Sequence, residues 1–345
     1  MITPPDNTTL PKEGEQEEIL SPSRRFPAVP QLIVLGVVLF LLLGSAGISY
    51  LKSNANLAEN AWVDSKMEND SQPSASLTTS TIKSLEAIEI EAKAGFVYDV
   101  RNNRVLYQKS ADETLPIASI TKLMTTLVAH ELLSEETTIT IPLTATLVES
   151  ASGLQSGEQL SARSLINYAM LASSNDAAHS LAVAAAAAIS ADAPESAFVE
   201  AMNIRAKELG LNTLSFKNAH GLDIDAKRAG AYGSARDITF LMEYIYNNYP
   251  DLLSVTMEDS TRIYNTNGDF YDANNTNRAL LEIPQLRGSK TGYTILAGGN
   301  LTVIFDAGLN RPVIITVLGS SFSGRFSDVL SLIEATKASL IESAQ

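Results

Sequence analysis

The chain has 345 residues, a net charge of −14, 45% apolar residues and no cysteine. That acidity argues against a nucleic-acid partner, which needs a basic surface to meet phosphates, and the missing cysteines exclude disulfides, thiolate zinc sites and a cysteine nucleophile. The three histidines, His130, His179 and His220, share no metal-binding spacing, so neither a metal nor another cofactor is expected.

Residues 1–31 are polar, acidic and proline-containing, with Arg24 and Arg25 near their end. Such a composition predicts a disordered tail. Residues 32–51, LIVLGVVLFLLLGSAGISYL, carry no charge and match the roughly 20 residues that cross a bilayer. A cleaved signal peptide is the competing reading. Its apolar part should run only about 7–15 residues after a short basic start, so an uncleaved anchor is favoured. Arg24 and Arg25 ahead of the run, against Lys52 behind it, put the N-terminus in the cytoplasm. The expectation is a single-pass protein of the cell membrane with its folded part outside the cytoplasm. Residues 52–86, rich in Ser, Asn, Thr and Ala, read as a linker.

A folded domain is expected over 87–345. Ala87–Val100 has strand character, and Arg101-Asn102-Asn103-Arg104 predicts a turn into a second strand, Val105–Gln108. Apolar residues at Ile120, Leu123, Met124, Leu127 and Val128 mark one buried face of a helix from Ile120 to Leu133. Residues 134–160 read as loop and short strand. Ser161 predicts the cap of a helix to about Leu171, Ala172-Ser173-Ser174-Asn175 breaks it, and a second helix follows from about Asp176 to Ile189. Pro194 opens a third helix ending at Gly210. Ser234 with Asp237 resembles a capping box for a helix to about Tyr246. A loop-rich stretch, 255–284, leads to Gly288-Ser-Lys-Thr-Gly-Tyr293, then to strands Asn300–Phe305 and Val313–Leu318, and to a last helix over about Ser327–Leu340. Strands at both ends with helices between imply a sheet built from the two termini and a mostly helical inserted part.

Ser119 and Lys122, three residues apart at the start of an apolar helix, rise from the same side of its first turn. A lysine held there and partly desolvated can lose its proton near neutral pH and then take one from the serine hydroxyl. The competing description is a serine cap beside a solvated lysine. Two further motifs follow in order, Ser173-x-Asn175 and Lys290-Thr291-Gly292, the set found in β-lactamases and penicillin-binding proteins. With the segments PIASITKLMTTLVA, LASSNDAAHSLA, FVEAMNIRAKELGLNTLSFKNAHGL and GSKTGYTILAGGNL, the chain resembles the serine D-Ala-D-Ala carboxypeptidases. These are the low-molecular-weight penicillin-binding proteins of peptidase family S11. The resemblance covers about residues 87–340.

It implies an α/β (α+β) fold of the β-lactamase/transpeptidase type, with a five-stranded antiparallel sheet flanked by helices and a mostly helical subdomain. It also implies removal of the terminal D-alanine from peptidoglycan stem pentapeptides, with β-lactams as covalent inhibitors. By the same resemblance Ser119 is the nucleophile, Lys122 its general base, and Ser173 a proton relay to the leaving amine. Asn175 suits a substrate amide and the orientation of Lys122. Lys290 and Thr291 bind the substrate carboxylate from an edge strand. Gly292 leaves room for substrate, the N–H groups of Ser119 and Tyr293 form an oxyanion hole, and Arg325 assists with the carboxylate. His220 is expected to shape a loop, and Arg278, following Asn275-Thr276-Asn277 in a loop expected to line the site, is given no role of its own. Many family members carry an extra β-rich domain and a C-terminal anchor, which the N-terminal span is expected to replace here. Two competitors are weighed. A class A-like β-lactamase needs a glutamate for its deacylating water, and no convincing glutamate motif follows Ser173-Ser174-Asn175. A β-lactam sensor needs an output module that residues 1–31 are too short to supply.

Overall fold

The computed structural model describes Leu85 and residues 88–342, apart from 192, 193 and 309. The expected tail (1–31), membrane span (32–51) and, but for Leu85, the linker (52–86) lie outside the described residues. No helix among the described residues is long and apolar enough to cross a membrane.

The two ends of the folded part meet in one sheet. Strands β1 (Ala94–Asp99) and β2 (Arg104–Lys109) come from its start. Strands β3 (Leu286–Thr294), β4 (Gly298–Asp306) and β5 (Pro312–Ser320) come from its end. The five are antiparallel in the spatial order β3-β4-β5-β1-β2, and β1 joins β5 with Ala94 opposite Leu318 and Asp99 opposite Val313. The strand expected from Ala87 starts later for a specific reason. The N–H groups of Glu91 and Ala92 donate to the Asp328 carboxylate at 2.8 and 2.9 Å, which ties that stretch to the last helix instead of the sheet.

Between β2 and β3 the chain is mainly helical. It forms α1 (Lys122–Leu132), α2 (Ala162–Leu171), α3 (Asn175–Ile189), α4 (Glu195–Glu208) and α5 (Ala235–Asn248), and α6 (Gly324–Glu342) closes the domain. Ser161 and Ser234 cap α2 and α5 by accepting from the N–H groups of Ser164 and Asp237 at 3.1 Å each, as their sequence positions predict. The period-two alternation of β1 splits its side chains between two cores. Phe96 and Tyr98 join α5 residues Ile238, Met242 and Ile245 on one face. Val97 joins α6 residues Val329, Leu332 and Ile333 on the other.

Helix α1 is the centre of the helical part. Leu123, Met124 and Leu127 are wholly buried, each worth roughly 1.5–3 kcal/mol of apolar transfer. The alanines of α3 that face inward, Ala177, Ala178, Ala182, Ala185 and Ala186, are also wholly buried. Their small side chains let neighbouring helices approach closely. The stretch read as loop over 255–284 contains a two-stranded ribbon, Ser260–Tyr264 with Phe270–Asn274. Its strands carry mostly exposed, polar residues, so no apolar alternation marks them. The ribbon delivers Asn275 and Thr276 to the edge of β3.

Candidate active site

A single 3-10 turn, Ala118–Thr121, feeds into α1. Ala118 has φ +48°, a left-handed conformation that costs a residue with a Cβ roughly 1–2 kcal/mol, and strain of this kind gathers at functional sites. Neither the turn nor α1 has a side-chain cap, so Ser119 does not cap a helix. Its Oγ instead lies 2.8 Å from Lys122 Nζ. Lys122 is not solvated either, being fully buried. Its Nζ also donates to Asn175 Oδ1 at 2.8 Å and to the His220 carbonyl at 2.9 Å.

The three partners of Lys122 can satisfy either an ammonium or a neutral amine. A neutral amine has two N–H donors and one lone pair. Two of the three neighbours, the Asn175 and His220 oxygens, can only accept. The third, the Ser119 hydroxyl, can either donate or accept. Burial pushes the Lys122 pKa well below the ordinary lysine value, the Lys290 cation pushes it further down, and the Asp176 carboxylate opposes both. Once neutral, Lys122 would present its lone pair to the Ser119 proton. His220 shapes this wall, as expected, through its main chain. Gly221, at φ +83°, packs so tightly that an added Cβ would lie 2.0 Å from the Ala118 carbonyl oxygen. Burial, with Lys122 and His179 adding to it, holds the His220 ring pKa at about 3, so the ring is neutral.

The break between α2 and α3 supplies the second group. Ser173 sits there at φ +60°, and Ser174 caps α3 by accepting from the Ala177 N–H at 3.1 Å. Asn175 therefore opens the helix without capping it. Its Oδ1 faces Lys122, while its Nδ2 donates to the Glu149 carbonyl at 3.0 Å and the Ser150 carbonyl at 3.5 Å. Both ends of this amide are engaged within the protein. The geometry fits orienting Lys122. Asp176, wholly buried, accepts from the N–H groups of Ser152 at 2.8 Å and Leu154 at 3.1 Å and so braces the loop that Asn175 holds.

The third group comes from β3, an edge strand of the sheet. Lys290 is 1% exposed, and its Nζ donates to Ser173 Oγ at 2.9 Å and to the Thr291 carbonyl at 3.1 Å. Burial and then the Arg325 cation bring its pKa down to about 7. The Thr291 hydroxyl pairs with that of Thr276 at 2.6 Å. Gly292 also has a packing role. A Cβ there would lie 2.7 Å from the Ile117 carbonyl oxygen and 3.2 Å from the Ser119 and Ile120 nitrogens. The space beside that glycine is taken by the turn carrying Ser119.

Ser119, Ser173, Thr291, Gly292, Tyr293 and Arg325 line one cleft of about 390 Å³. Arg325, in the first turn of α6, is 4% exposed and donates from Nη1 to the Gly292 carbonyl at 2.7 Å. Burial lowers its pKa to about 10, with Arg278 adding to the shift. Lys122, Asn175 and Lys290 stand behind the cleft wall. Thr276 and Arg278, in the loop expected to line the site, and Phe322, to which the sequence assigned nothing, also line the cleft. Their only signal was the polar Asn275-Thr276-Asn277-Arg278 run, since chain separation hides their approach to β3.

The profile of the D-alanyl-D-alanine carboxypeptidase family, peptidase S11, matches residues 79–321. Over 239 residues the chain is 35% identical to D-alanyl-D-alanine carboxypeptidase DacF of Bacillus subtilis, covering 67% of this chain and 58% of that protein. Over 262 residues it is 30% identical to D-alanyl-D-alanine carboxypeptidase DacA of Escherichia coli K12, covering 71% and 60%. The chain thus spans less than two thirds of the length of these curated relatives. Penicillin-binding protein D2 of Listeria monocytogenes, in its ampicillin-bound form, superposes with a TM-score of 0.61 at 28% identity, covering 72% of this chain and 98% of that one.

Proposed function

The chain belongs to the D-alanyl-D-alanine carboxypeptidase family, peptidase S11, and from that premise we propose that it is a serine D,D-carboxypeptidase acting on peptidoglycan stem pentapeptides. The observation that carries this reading is the fully buried Lys122 Nζ, 2.8 Å from Ser119 Oγ, with two carbonyl oxygens taking its other hydrogen bonds. Ser119 Oγ attacks the carbonyl of the penultimate D-alanine and gives its proton to Lys122. The N–H groups of Ser119 and Tyr293 stabilise the oxyanion. The tetrahedral adduct collapses with cleavage of the C–N bond. Lys122 returns that proton through Ser173, which is linked to Lys290 at 2.9 Å, to the leaving amine, so that D-alanine departs and Lys122 is again a neutral base. Water, deprotonated in turn by Lys122, hydrolyses the ester and restores Ser119. Lys290, Thr291 and Arg325 hold the carboxylate of the leaving residue. Covalent inhibition by β-lactams follows from the same serine.

We further propose that residues 32–51 anchor the protein in the membrane as a single span, with the tail 1–31 in the cytoplasm, the linker 52–86 outside it and the catalytic domain 87–345 extracytoplasmic. The uncharged run and the preceding Arg24 and Arg25 support this. The purified protein is expected to release D-alanine steadily from diacetyl-Lys-D-Ala-D-Ala and to be labelled by benzylpenicillin, and Ser119→Ala to lose both. Release retained in that variant would sink the mechanism. Labelling without release would favour a sensor, and rapid penicillin hydrolysis a β-lactamase. The membrane fraction of cells and the mass of the mature protein test the anchor. A mass lacking residues 32–51 would refute it.

A further inference from the structure

Two guanidinium groups meet on one aromatic ring at the cleft. The Arg325 guanidinium carbon is 4.7 Å from the centroid of Phe322, and that of Arg278 is 5.0 Å from the same centroid. Both arginines line the cleft with Thr291 and Tyr293. Among the described residues lining it there is no Asp or Glu, and no ion pair of either arginine occurs among the described residues. Like charges held this close without a protein carboxylate repel each other; the Arg325 pKa is lowered first by burial, and Arg278 adds to it. Such an arrangement becomes favourable when an external anion neutralises it.

The two arginines differ in what they have free. Arg325 is buried, and its Nη1 is committed to the Gly292 carbonyl at 2.7 Å. Its Nε is buried with no partner, so this group is poorly satisfied until something else arrives. Lys290 already donates to Ser173 and to the Thr291 carbonyl. Arg278 is exposed at the cleft. Stacking on Phe322 limits its conformations, which lowers the entropic cost of gripping a ligand.

We propose that Arg278 is a specificity residue for this reaction, the outer cation that makes the cleft demand a free carboxylate on the residue that leaves. Arg325 meets that anion from the buried side and Arg278 from the solvent side. The accepted class is any peptide whose leaving residue keeps its carboxylate beside the departing amine. A residue joined onward through that carboxyl is rejected, because its amide leaves two guanidinium groups unneutralised. This rests on the carboxypeptidase reading of the same site.

The test compares Arg278→Gln and Arg278→Lys with wild type on diacetyl-Lys-D-Ala-D-Ala and its C-terminal amide. In Arg278→Gln the acid-to-amide ratio of kcat/KM is expected to fall at least tenfold, chiefly through KM for the acid, and Arg278→Lys to restore part of it. An unchanged ratio would overturn the proposal, whether both substrates slow equally or neither does. The same ratio is read without turnover as the rate of Ser119 acylation by benzylpenicillin against its methyl ester. Wild type that is acylated but releases no D-alanine would defeat the carboxypeptidase reading, and the penicillin pair would still decide Arg278. Wild type acylated by neither would overturn both. Thermal melting checks that each variant folds.

Discussion

Gly292→Ala tests the packing of β3 on the nucleophile turn. The added methyl would lie 2.7 Å from the Ile117 carbonyl oxygen and 3.2 Å from the Ser119 and Ile120 nitrogens. All three are backbone atoms, so no side-chain rotation relieves the contact. The oxygen must retreat by about 0.7 Å to reach ordinary contact, and either β3 or the turn carrying Ser119 must move. Overpacking of this kind costs roughly 1–3 kcal/mol of stability. The larger effect falls on chemistry, because Ser119, Thr291 and Tyr293 belong to the two elements being pushed apart. A misplacement approaching 1 Å costs about a hundredfold in rate, equivalent to about 2.7 kcal/mol. The second-order rate of Ser119 acylation by benzylpenicillin, measured beside the melting temperature, separates the two effects. A variant that melts a few degrees lower and acylates about a hundredfold more slowly fits the structure. Acylation within threefold of wild type would refute the claim that this glycine sets the distance between strand and nucleophile.

Lys122→Arg replaces the base with a permanent cation, because a guanidinium does not give up its proton in this range. Acylation by benzylpenicillin should fall by roughly a thousandfold, within the usual span for a lost general base, and acylation near the wild-type rate would exclude Lys122 from that role. Asp176→Asn removes a charge that raises the Lys122 pKa and weakens two loop hydrogen bonds. Stability should drop by roughly 1–3 kcal/mol in urea unfolding, and the ascending limb of the acylation pH profile should move to lower pH. A limb that stays put would show that Asp176 acts on the loop alone.

The parts of the site legible in the sequence are those set by short spacing or by residue chemistry. Ser119 and Lys122 sit one helical turn apart, so their contact follows from helix geometry once the helix is recognised. Ser173, Asn175, Lys290 and Thr291 were found through motifs, and their convergence depends on strand pairing between distant segments that no local pattern reveals. The helix limits were readable within a few residues because Ser161 and Ser234 cap as serines do. What stayed hidden has physical causes. The His220 contact uses a main-chain carbonyl, which every residue carries. The clash that requires Gly292 lies with a turn more than 170 positions earlier. Arg278 is exposed, and nothing local distinguishes it from any solvated arginine until Phe322 and Arg325 are seen beside it.

The two buried lysines also predict how substrate redistributes protons. Lys290 in the free enzyme has a pKa of about 7, lowered by burial and by Arg325. To hold a carboxylate it must be charged, so binding to the free enzyme should weaken as pH rises through 7. A bound carboxylate neutralises part of the surrounding cationic field and favours the ammonium form, which raises the Lys290 pKa in the complex. The resulting charge on Lys290 lies close enough to depress Lys122 further, keeping the base neutral when the peptide is present. The descending limb of kcat/KM reports the free enzyme and that of kcat reports the complex. The limb for kcat should therefore lie at distinctly higher pH than the limb for kcat/KM in D-alanine release. Coincident limbs would mean that Lys290 does not titrate with carboxylate binding, and its assignment as the carboxylate's buried cation would fail.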